Sequence, residues 1–134
     1  MKGLLGALSL SLTFSACSGR DSDLPPYYRR IEVPESRLRS VEARARGRAL
    51  FEGHCVLCHG QDADGRGVRR EGLSAAPADF TDPAWRRRTS PRRAYFVIRE
   101  GVRGTPMPSW KTLEESEAWD LVAYVLSVGE RTGG

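Results

Sequence analysis

Cysteine and methionine are scarce in this 134-residue chain, lysine is almost absent, and no stretch alternates apolar with polar residues convincingly. Each shortage excludes something. Three cysteines, Cys17, Cys55 and Cys58, cannot build the disulfide framework that holds many small exported domains together. Without period-two alternation there is no half-buried strand, so the expected fold is all-α. Positive charge comes almost wholly from 19 arginines spread along the chain, and the net charge is only +4, so a nucleic-acid module is not indicated. The apolar run Leu4–Phe14 falls short of the roughly 20 residues that a membrane-spanning helix needs. It follows Lys2 and stops at Ser15-Ala16-Cys17, the layout of a signal sequence covering residues 1–16, so the chain is expected to be exported. With 40 % apolar residues the chain is too apolar to be wholly disordered, yet it has room for only one thin core. Domains of that size lean on a disulfide, a metal or a cofactor. With the disulfide framework excluded, a cofactor is the first thing to look for.

What is there is a pair of cysteines two residues apart, followed at once by histidine: Cys55-Val56-Leu57-Cys58-His59. In an exported protein such a pair can form a redox disulfide, bind zinc or attach haem covalently, and the trailing histidine is the mark of the third. Two thiols on one helical turn can add to the two vinyl groups along one porphyrin edge, which leaves His59 to offer an imidazole nitrogen to the iron. Zinc wants four ligands from separated pairs, and the chain adds only His54 to these three. A thioredoxin-type pair wants a preceding strand, and none is in view.

The flanking segments read as helices. Glu42–His54 leads into the motif with Ala45, Ala49, Leu50 and Phe51 towards one side, and Gly47 lies one turn before Phe51 on the same face. Ser90-Pro91 starts a second helix that ends before Gly101. Thr112 and Glu115 form a capping box, which predicts a third helix from Leu113 to about Val128, stopped by Gly129. Its stretch Ala118–Val128 is apolar nearly all round and so is expected to be buried against more than one neighbour. Between the second and third helices stands Met107, the one methionine besides the initiator, flanked by Pro106 and Pro108. Two prolines stiffen that loop and lower the entropy lost when it is pinned, which suits a weak thioether ligand on the second face of an iron. His/Met ligation raises a haem potential relative to two imidazoles. His54 is expected to point away from the iron, and Asp62, Asp64, Gly65 and Gly67 lack the ligand set of a calcium loop and read as a Gly-rich turn.

With these pieces in order, the chain resembles a class I cytochrome c of the small bacterial monohaem type over about residues 40–130: Gly47 and Phe51, the Cys55–His59 motif, Gly60, Pro77, Met107-Pro108, then Leu121 and Tyr124. The resemblance implies one haem c bound through Cys55 and Cys58, with His59 and Met107 as axial ligands. It also implies first and last helices packed crosswise through Gly47, Phe51, Leu121 and Tyr124. A proline carbonyl, here that of Pro77, would accept the His59 proton and orient the ring. An electron carrier follows, not an enzyme. A haem subunit of a larger respiratory complex, and a sensor or peroxidase with a displaceable sixth ligand, stand as alternatives.

Phe14-Ser15-Ala16-Cys17 resembles a bacterial lipobox, with Phe where Leu is usual, so Cys17 is expected to carry a lipid anchor on a bacterial membrane, the haem domain lying on its periplasmic or outer side. Residues 17–39, with Pro25, Pro26 and Pro34, read as the anchored cysteine and a semi-extended tether; residues 131–134 read as a tail. Ten arginines fall in residues 66–103 against Glu71, Asp79, Asp82 and Glu100. Because that span lies between His59 and Met107, a basic rim is expected to steer the domain onto an acidic face of an oxidase, reductase or reaction centre.

Overall fold

In the computed structural model, which describes residues 21–131, seven helices follow one another: α1 (Pro26–Arg30), α2 (Glu35–Arg39), α3 (Val41–His54), α4 (Val56–His59), α5 (Pro83–Arg88), α6 (Pro91–Glu100) and α7 (Glu115–Arg131). No strand occurs among the described residues. The signal segment, Cys17 and the last three residues lie outside them.

Three helices are long, and each starts where local chemistry provides a cap. The Ser40 hydroxyl accepts from the Ala43 N–H at 3.2 Å to open α3. The Ser90 hydroxyl accepts from the Arg93 N–H at 3.0 Å, with Pro91 in the first turn, to open α6. The expected capping box before α7 is shifted by two residues: the Glu117 carboxylate accepts from the Glu114 N–H at 2.9 Å, and the helix begins at Glu115, not Leu113. Nor does Gly129 stop it. Its backbone continues the helix, and its bare Cα lets the Arg86 side chain and the Phe80 carbonyl come close.

The core is the crossing of α3 and α7. A methyl group at Gly47 would run into the Asp120 carbonyl and lie 2.9 Å from the Tyr124 Cβ. Phe51, one turn on, is fully buried and packs on Tyr124 at 5.2 Å between ring centres. Every residue from Ala118 to Val128 is buried, because α7 meets α2, α3, α5 and α6 on different sides. Asp120, buried on the α3 side, accepts from Arg37 at 2.6 Å and Arg46 at 2.7 Å, which offsets the cost of removing a carboxylate from water. On the opposite side, Tyr95 of α6 stacks on Trp119 at 4.3 Å.

Residues 21–39 are not a tether. Leu24, Tyr28 and Leu38 are buried in the core, and Ile31 and Val33 pack against it. The prolines that suggested an extended segment sit at helix starts, Pro26 in the first turn of α1 and Pro34 as the residue before α2. Ion pairs fasten the segment further: Asp21 with Arg92, Asp23 with Arg93.

Gly47→Ala tests the crossing. Alanine improves intrinsic helix propensity by up to about 1 kcal/mol, but a methyl group pressed on a backbone carbonyl costs about 1–3 kcal/mol as the helices separate. The substitution is therefore expected to lower the guanidinium unfolding midpoint of the mature protein; a raised midpoint would show that the helices do not touch there.

Candidate functional site

The end of α3 delivers the motif. Cys55 ends that helix, and its carbonyl accepts from the N–H groups of Cys58 at 3.2 Å and His59 at 2.9 Å, so the three motif side chains leave a single turn. Both thiols are free and half-buried. Burial pushes the Cys55 thiol up to about 12, and the neighbouring Cys58 adds to the rise. A redox dithiol needs the opposite, a depressed pKa that yields thiolate. Zinc would need further donors, and among the described residues no three His, Cys, Asp or Glu side chains converge on a metal-sized site.

His59 is held from its outer side. Its Nδ1 lies 3.1 Å from the Ala78 carbonyl, so Nδ1–H donates there and Nε2 is the nitrogen left with a lone pair. Burial pushes its pKa down, against the opposing pull of that hydrogen bond, and so favours the neutral ring that can ligate iron. The carbonyl is Ala78's and not Pro77's, which corrects the expectation by one residue. Both carbonyls lie beside Gly65, Pro77's 2.8 Å and Ala78's 3.3 Å from where a Cβ there would sit, and it is Ala78's that meets the imidazole. Phe80, which the sequence did not single out, stacks on the His59 ring at 4.8 Å and receives Trp85 edge-on at 4.7 Å. No spacing rule marks Phe80 in advance.

The segment after the motif folds over it. The N–H groups of Gly65, Gly67 and Arg69 donate to the carbonyls of His59, Cys58 and Leu57 at 2.8, 3.1 and 2.8 Å. Asp64 accepts from the Arg66 N–H, as a tight turn requires. Beside the motif this leaves Leu57 and Val68 exposed, at 45 % and 85 %, with Arg66, Arg69 and Arg70 of the same segment exposed as well. The expected basic span is less free than its count suggests. Arg92 donates to the Ile31 carbonyl, Arg93 pairs with Asp23, and Arg99 donates to the Leu113 carbonyl.

Met107 is half-buried in a loop that the backbone fixes: its carbonyl accepts from Val102 N–H at 3.2 Å and its N–H donates to the Thr105 hydroxyl at 3.2 Å. Trp110, three residues on, lies 5.2 Å from the His54 ring, which brings this loop beside the end of α3. His54 is exposed and turned to Trp110, away from any ligand role. Two free thiols on one turn, and a neutral imidazole tied at one nitrogen and open at the other, fit a covalently held haem.

A family model described as "Cytochrome C oxidase, cbb3-type, subunit III" matches residues 42–125. Among solved structures, a chain of the reducing HAO-like protein complex of Kuenenia stuttgartiensis is similar, with a TM-score of 0.57 and 23 % identity, over 73 % of this chain and 45 % of that one. This chain thus spans less than half the length of that neighbour, and the likeness is one of fold.

Proposed function

The chain belongs to the family of cytochrome c oxidase, cbb3-type, subunit III, a family of c-type haem domains, and we propose that it carries single electrons between redox proteins while anchored to a membrane. Membership brings one covalently bound haem c, whose iron supplies a one-electron couple. The observation that carries the reading is the motif turn: free Cys55 and Cys58 beside a neutral His59 whose Nδ1 is engaged by Ala78. In this reading Cys55 and Cys58 form the two thioether links, His59 Nε2 is the proximal ligand, and Ala78 holds the ring in orientation and makes it more basic. Phe80 and Phe51 shield that ring, with centres 4.8 and 6.2 Å from it. Met107 supplies the sixth ligand from its stiffened loop, as a neutral thioether that favours the reduced state relative to a second imidazole.

The docking face is the exposed Leu57 and Val68 together with the exposed Arg66, Arg69 and Arg70. Its partner presents an acidic rim, on an oxidase, reductase or reaction centre, and the field raises the association rate more than the affinity. Cys17 bears the lipid, on a bacterial membrane with the domain on its periplasmic or outer side. In the sequence three residues, Ser18–Arg20, stand between Cys17 and Asp21, the first residue described. At no more than about 3.6 Å per residue they hold Asp21 within a short reach of the lipid-bearing cysteine. A second reading, a haem subunit of a larger complex, draws support from the oxidase subunit for which the matching family is named. Migration of the native protein from solubilised membranes, alone or in a stable assembly, separates the two.

Met107→Ala is expected to leave the haem attached, abolish the Met–Fe(III) charge-transfer band, admit exogenous ligands and lower the potential; an unchanged spectrum and potential would remove Met107 from the iron. Labelled fatty acid is expected in the wild-type protein and not in Cys17→Ser, and incorporation into both would end the anchor proposal. Electron transfer from the soluble domain should slow steeply as salt rises from tens to hundreds of millimolar, since screening cuts the reach of the field to about 8 Å at physiological ionic strength. Arg69→Glu with Arg70→Glu should slow it at low salt, and Glu114→Lys with Glu115→Lys should not. Equal effects, or a rate indifferent to salt, would reject the basic face.

A further inference from the structure

The loop that carries Met107 is not held by its own prolines alone. Its backbone is bound to the last turn of α6 at several points: the Val102 N–H donates to the Met107 carbonyl at 3.2 Å, the Trp110 N–H to the Ile98 carbonyl at 3.0 Å, and the Ser109 hydroxyl to the Arg99 carbonyl at 2.6 Å. Between them Gly101, at φ +71°, lies so close that a Cβ there would fall 2.6 Å from the Met107 carbonyl oxygen. The end of α6 and the Met107 backbone therefore move as one piece.

The last residue of α6 is Glu100, and both of its carboxylate oxygens are taken. Oε1 accepts from the Tyr28 hydroxyl at 2.5 Å, and Oε2 pairs with the Lys111 ammonium at 2.6 Å. The two donors come from distant parts of the chain. Tyr28 belongs to α1 and is buried, with Phe96 at 4.9 Å and Tyr95 at 6.2 Å. Lys111 stands four residues after Met107 and, apart from Lys2, is the only lysine in the chain. The Lys111 ammonium, with help from the Tyr28 hydroxyl, holds the Glu100 carboxyl below the usual range, so it remains ionised and able to bind both.

We propose that Tyr28, Glu100 and Lys111 are positioning residues for the sixth iron ligand: through Glu100, the N-terminal helix α1 braces the Met107 loop and sets how often it opens. This rests on Met107 being that ligand. The brace acts on a local opening that requires far fewer broken contacts than unfolding. An external ligand that competes for the iron binds only the open loop, so its apparent affinity scales with the open fraction. Releasing the brace raises that fraction, and hence the apparent affinity, while Met107 still closes on the iron when no competitor is present.

The test uses the ferric holoprotein titrated with imidazole, with loss of the Met–Fe(III) charge-transfer band as the signal. Glu100→Gln is expected to bind imidazole roughly tenfold more tightly than wild type, equivalent to about 1.4 kcal/mol. Tyr28→Phe and Lys111→Gln should each bind it about three- to fivefold more tightly, and all three should keep the band at zero imidazole. Glu35→Gln is the control, removing the same charge from an exposed pair with Arg39 within α2; its imidazole affinity should equal wild type's. A merely structural role predicts lowered unfolding midpoints with unchanged imidazole affinity, and that result overturns the proposal. So does an equal rise in Glu35→Gln, which would trace the effect to net charge. Tyr28→Phe deletes one hydroxyl and decides the matter if Glu100→Gln does not mature. A wild-type protein without the band sinks the Met107 reading and the brace together, whereas a band with unaltered affinities sinks the brace alone.

Discussion

Where α3 crosses α7 there is no room for a side chain on Gly47, because the Asp120 carbonyl already occupies that space. The rest of the molecule is arranged around this contact. It fixes the angle at which α3 runs, and α3 ends in Cys55; the position of the motif turn is therefore set by a glycine two turns upstream. Phe51 translates the crossing to the site directly, since one ring packs on Tyr124 in the core and also lies 6.2 Å from His59. Asp120 adds electrostatic anchoring at the same place, with α2 and α3 each sending an arginine to one buried carboxylate.

From the crossing outward, the protein supports two segments that the proposed function brings together at the haem. One is the motif turn, capped by the loop that returns three N–H groups to its carbonyls and by Phe80 and Ala78 on His59. The other is the Met107 loop, fastened to the end of α6, which itself packs on α7 through the Tyr95–Trp119 stack. A ligand as weak as a thioether needs such a pre-ordered loop, because little of its binding energy is left over to order one. The brace proposed from α1 would serve that requirement, tying the loop through Glu100 to Tyr28 and Lys111.

The chain's all-α class, the motif and the α6 boundaries were legible in residue type and spacing, since each depends on local chemistry or on one repeat of the helix, whereas the crossing at Gly47, Phe51 and Tyr124 followed from the family resemblance. The course of residues 21–39 was not legible. Counting their few apolar groups hid that Leu24, Tyr28, Ile31 and Leu38 each reach the core, and three prolines read as spacers proved to be helix starters. Two overlapping caps precede α7, Thr112 with Glu115 and Glu114 with Glu117; the sequence favours the first by residue type, and the structure forms the second. The acceptor for His59 slipped by one carbonyl, a distinction that only backbone direction decides. Of the arginines counted towards a docking rim, Arg92, Arg93 and Arg99 are engaged in the fold, and no count of charges separates those from Arg69 and Arg70.

The central claim is that the turn Cys55–His59 holds haem through two covalent links. Intact mass measurement after acid–acetone extraction, on protein matured where haem attachment operates, tests it most directly. The account predicts that wild type retains the mass of one haem through extraction and that Cys55→Ser combined with Cys58→Ser retains none. Haem that is extracted from the wild-type chain, or that stays bound to the doubly substituted one, would contradict it.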